Sequence, residues 1–126
     1  MFIKIIYTTL LIGAFCGPGR ADSPRIIDAA ARQTANGWSI FVTLAHPDTG
    51  WDHYADGWEV LAPDGKRLAL RELAHPHEKE QPFTRSLSGV QIPQDVYELH
   101  IRARCNVDGW GDERYIIRLE TEPSGN

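Results

Sequence analysis

Apolar and polar residues alternate with a period of two along most of the chain, the pattern of strands that bury one face. Residues 38–44 put Trp38, Ile40, Val42 and Leu44 on one side and Phe41 on the other. Residues 97–105 alternate without a break, so Tyr97, Leu99, Ile101, Ala103 and Cys105 are expected to face inward and His100 outward. Shorter runs follow the same rule at 58–61, 67–73, 83–91 and 113–120, the last with Tyr115, Ile117 and Leu119 inward. Residues 25–36 open with Ile26 and Ile27, although the alanines at 29–31 lean towards helix. Gly, Pro, Asn and Asp punctuate the runs, and Pro63-Asp64-Gly65 joins two of them as a hairpin. The expected fold is all-β, seven antiparallel strands in two sheets, with Trp38 and Trp58 in the core.

Residues 1–21 break this pattern. Lys4 precedes an apolar run from Ile5 to Phe15, and the small-x-small triplet Gly19-Arg20-Ala21 closes the segment. This is the layout of a secretory signal peptide cleaved after Ala21, and the run is too short for the ~20 residues that span a bilayer. Lipidation at Cys16 is disfavoured by the bulky Phe15 before it. The expected organisation is a leader over 1–21, one sandwich domain over 22–120 and a flexible tail over 121–126, with the mature protein periplasmic or secreted and holding no membrane span. After cleavage Cys105 is the one cysteine left, so the domain holds together without an internal disulfide.

Composition narrows the partners. Thirteen Lys and Arg against 17 Asp and Glu give a net charge of −4, and no basic block occurs, which argues against a nucleic-acid partner held by phosphate neutralisation.

Consecutive antiparallel strands alternate between the two ends of a sandwich, so the connections at 46–57, 74–82 and 106–112 share one pole. That pole collects four of the five histidines, His46, His53, His75 and His77, with Trp51, Asp52, Tyr54, Asp56, Glu78, Asp108 and Trp110. The opposite pole has only bare turns. One reading is a transition-metal site: imidazoles are the commonest ligands for zinc and copper, and His75-x-His77 can present two on one side of an extended segment, with His46 or His53 completing the set. A second is structural, with the histidines tying loop carbonyls together. A third uses Trp51, Tyr54 and Trp110 as aromatic anchors for an unknown protein or small ligand. The leading expectation is a non-enzymatic exported binding module, and the alternative is a periplasmic copper or zinc protein. Calcium fits less well, because Asp48, Asp52 and Asp56 lack the spacing of a calcium loop.

Enzyme chemistry has little support. Cys105 faces inward and reads as an inert buried thiol, Ser86 and Ser88 sit on a strand without an elbow motif, and no phosphate loop, HExxH or CxxC occurs. Arg71 and Arg85 read as surface ion-pair partners.

Two resemblances add to this. Residues 90–119, with Ile92-Pro93, then Tyr97 and the alternating run after it, resemble the final hairpin of a fibronectin type III domain, and the strand count resembles the wider immunoglobulin-like class. The resemblance implies a fold and no activity. His46-Pro47, the run from Gly50 to Trp58, His75-Pro76-His77 and the run from Gln81 to Leu87 resemble an uncharacterised family of small exported bacterial proteins, which implies export and no mechanism.

Overall fold

The computed structural model describes residues 23–119. The leader at 1–21, Cys16 and the tail at 121–126 lie outside the described residues. Eight strands and no helix are found among the described residues: β1 Arg25–Thr34, β2 Gly37–Ala45, β3 Ala55–Leu61, β4 Arg67–Glu72, β5 Phe83–Val90, β6 Glu98–Cys105, β7 Gly109–Trp110 and β8 Tyr115–Arg118. All pairings are antiparallel. One sheet runs β1-β2-β5 and the other β4-β3-β6, with β7 and β8 both on the free side of β6. The strand beyond the expected seven is β7, two residues of the 106–112 connection that pair back onto Arg104 and Cys105.

Side chains from both sheets fill the space between them. Ile40, Val42 and Leu44 of β2 and Phe83 of β5 meet Trp58 and Val60 of β3 and Leu99, Ile101 and Ala103 of β6. Trp58 is fully buried, and Trp38 packs against the same core from its margin. Burial alternates at every residue of β6, as period two requires of a strand with one face on the core.

Two positions depart from the alternation. Tyr97 is 56% exposed, because β6 starts one residue later and the preceding turn, closed by Val96 N–H donating to Pro93 C=O at 3.0 Å, sends Val96 towards the core instead. The residue that carries the fibronectin type III resemblance therefore lies outside the core. The second is Glu59, which faces away from the core on β3 and yet is 2% exposed. Arg67 and Arg102 each donate to its carboxylate, at 3.3 and 3.2 Å. Trp110 lies beside these cations, its ring centroid 5.0 Å from Arg102, 5.1 Å from Arg104 and 5.7 Å from Arg67. A carboxylate so buried is tolerable only with cations in place to offset its lost hydration.

Candidate metal centre

The connection from β2 to β3 is built by local turn chemistry. Asp48 N–H donates to His46 C=O at 2.8 Å around Pro47, a three-residue turn that suits the fixed φ of proline. The turn brings the Asp48 carboxylate back beneath the His46 ring, where Nδ1 and Oδ1 are 2.5 Å apart and both side chains are sealed from solvent. A second turn follows. His53 N–H donates to Gly50 C=O at 3.2 Å, and Gly50 has a φ of 138° that a side chain would strain. Trp51 and Asp52 form its exposed tip, and His53 returns to meet His46 edge to face with ring centroids 4.7 Å apart.

Cys105 reaches the same place from the other sheet. It ends β6 opposite Ala55, the first residue of β3. Asn106 locks this end, since its N–H donates to Tyr54 C=O at 3.1 Å, its Oδ1 accepts from Tyr54 N–H at 2.9 Å, and its Nδ2 donates to Trp51 C=O at 3.0 Å. The chain then turns so that Asp108 N–H donates to Cys105 Sγ at 3.2 Å.

One donor atom from each of His46, His53 and Cys105 lies within 4.8 Å of the other two. In a neutral His46 whose Nδ1 donates to Asp48, Nε2 carries the lone pair. The Nε2 atoms of both histidines are buried without a hydrogen-bond partner, each at a cost of about 1–3 kcal/mol. An ion bound at about 2.0 Å from nitrogen and 2.3 Å from sulfur would satisfy both. The Asp48–His46 pair has the carboxylate–imidazole arrangement that orients metal-binding histidines.

Asp48 organises more than this ring. Its Oδ1 also accepts from Ala55 N–H at 3.0 Å, and its Oδ2 from His77 N–H at 2.8 Å. The 74–82 connection is thereby tied to the 46–57 connection, which in turn is bonded to Asn106 just past the end of β6.

The histidines divide differently from the spacing in sequence. His46 and His53 join Cys105, a residue that sequence reasoning treats as an inert core thiol. His75 and His77 form a separate pair, with centroids 4.7 Å apart. His77 stacks on Phe83 at 3.9 Å, and the Arg85 guanidinium lies 2.8 Å from its Nε2, while its Nδ1 is buried without a partner. Arg85 is therefore a partner of His77 as well as of Glu80. Of the other candidates, Trp51 is 66% exposed and contacts Tyr54 edge to face at 5.6 Å. Asp52 and Glu78 are exposed, Asp56 pairs with Arg104 at 3.1 Å, and Asp108 abuts Cys105. Trp110 sits with the arginines on the outer face of its sheet. His100 faces outward and pairs with Glu98 at 2.8 Å.

Burial pushes the Cys105 thiol above its ordinary range, opposed by backbone N–H groups of Asp108 and Val107. Burial pulls His77 below its ordinary range, with the Arg85 cation and then His75 adding to the effect. His77 is therefore neutral in the folded state at pH values where the unfolded chain, with an ordinary imidazole pKa of about 6.5, takes up a proton. It contributes stability that is present above about pH 6.5 and lost as the pH falls towards its lower folded value. In thermal unfolding from pH 7.5 to 5, the advantage of the native protein over His77→Gln is expected to narrow. Parallel curves would exclude this linkage.

No family model matches the chain, and no solved structure matches it. Over 91 residues, 71% of its length, the chain is 36% identical to a protein of Halomicrobium mukohataei described as "Putative lipoprotein". Those residues make up 44% of that protein, so the chain spans less than half of the relative it matches.

Proposed function

We propose that this chain is an exported, non-enzymatic β-sandwich domain that binds one transition-metal ion through His46 Nε2, His53 Nε2 and Cys105 Sγ. The observation that carries the reading is that a ring nitrogen of His46, a ring nitrogen of His53 and the buried Cys105 sulfur lie within 4.8 Å of one another, with the Nε2 atoms of both rings buried and unpartnered. Soft thiolate with imidazole selects copper or zinc over magnesium or calcium. Export is supported by the leader-like pattern of residues 1–21, and the relative's description favours the cell envelope over free secretion. Among the described residues no helix is long and apolar enough to cross a membrane.

The same atoms favour one other reading. Asp48, His46 and Cys105 stand in the order carboxylate, imidazole, thiol of a nucleophilic triad. Against it, Cys105 is 1% exposed and its thiol is pushed up, whereas a nucleophile needs access and an easily lost proton.

Elemental analysis and zinc and copper titration calorimetry on the chain purified without a His tag test the proposal. One ion per chain is expected, lost in His46→Ala and in Cys105→Ser and retained when His75 and His77 are both replaced by Ala. Loss only in the latter double variant would move the site to the other pair, and rapid alkylation of Cys105 by iodoacetamide at neutral pH would favour the triad.

A further inference from the structure

The donor set goes further than a metal in general. Zinc in structural sites takes four protein ligands in a tetrahedron, but the cluster offers three, His46, His53 and Cys105, and among the described residues no further His, Cys, Asp or Glu belongs to it. Two imidazoles and one thiolate in a trigonal arrangement are the set that copper accepts. Copper also binds such ligands more tightly than zinc does.

The setting suits a change of oxidation state with little movement. His46 is held by Asp48, and Cys105 is fixed between its pairing with Ala55 and the Asp108 N–H. Both are sealed, at 3% and 1% exposure. His53 is the half-buried ligand, with its Nε2 buried.

Resting on the metal-site reading above, we propose that the centre takes copper and carries one electron, Cu(II) to Cu(I) and back, with His53 as the ligand on the solvent side. On loading, the Cys105 S–H bond breaks, its proton passes to solvent and an S–Cu bond forms. On reduction one electron from an external one-electron donor enters the ion and no further bond breaks. A thiolate there keeps the Asp108 N–H as a donor and gives up the contact that the S–H makes with the Asp108 carboxylate at 3.7 Å.

The test is titration of the purified full chain with copper(II) sulfate, followed by visible absorption and electron paramagnetic resonance. An intense visible thiolate-to-copper band at one equivalent is expected, bleached by ascorbate, restored by ferricyanide and lost in Cys105→Ser. Should that variant fail to fold, cobalt(II) on the native protein reports the donor set, a sulfur-to-cobalt band being expected in the near ultraviolet. Copper binding without the visible band, irreversible oxidation of Cys105, or zinc displacing copper at one equivalent would overturn the copper proposal and leave the metal-site reading standing. Failure of zinc, copper and cobalt alike would overturn both.

Discussion

Replacing Asp48 by Ala is expected to lower stability by about 3–5 kcal/mol and to weaken metal binding about 10- to 100-fold. The first figure follows from what one carboxylate satisfies. The His46 ring and the N–H groups of Ala55 and His77 all bond to Asp48, and each buried donor left unpaired costs about 1–3 kcal/mol, less whatever water recovers. The second follows from the loss of the group that holds the His46 tautomer and ring orientation. Asp48→Asn keeps one oxygen but sets an N–H₂ against either the imidazole or a backbone N–H, so its penalty should be intermediate. Urea unfolding of the metal-free proteins and calorimetric titration separate the two effects. A loss below about 1 kcal/mol in Asp48→Ala would mean that Asp48 does not hold the loops together as described.

The part of this site that the sequence discloses is the part built from local contacts. Period-two alternation locates the strands, and strand direction then gathers the 46–57, 74–82 and 106–112 connections at one pole, where Asp48, His77 and Asn106 indeed cross-link them. His46-Pro47 and Gly50 mark turns whose geometry decides where two imidazoles point. What escapes is set by pairing between distant strands. Cys105 alternates in phase with Leu99, Ile101 and Ala103 and so reads as one more core residue. Only the register of β3 on β6, which puts Ala55 opposite Cys105, brings its sulfur to the histidines 52 and 59 residues earlier in the chain. His75 and His77 show the same dependence on distant strands: their spacing suggests a ligand pair, and the structure adds Arg85 on the adjoining strand as the partner of His77 Nε2, with Nδ1 left buried and unpartnered. Glu59 follows the same rule, since a carboxylate on an outward position looks exposed until Arg67, Arg102 and Trp110 are assembled over it.

Metal should also act as the clamp that this disulfide-free domain lacks. The ion would join the end of β2, the connection to β3 and the end of β6, three segments that otherwise meet only through non-covalent contacts, and Cys105 is a free thiol. A ligand that binds only the folded state stabilises it by about 4 kcal/mol at a free concentration 1,000 times Kd, and residual binding to unfolded Cys and His reduces this. A gain of about 2–4 kcal/mol corresponds, for a domain of this size, to a rise in Tm of about 10–25 °C. Differential scanning calorimetry with excess zinc or copper, with EDTA and with Cys105→Ser under the same conditions measures it. The rise should vanish with chelator, be absent in the variant, and shrink as falling pH sets protons against the metal for the imidazoles and the thiolate. An equal rise in Cys105→Ser would assign the stabilisation to surface binding elsewhere, and no rise in the native protein would remove the clamp.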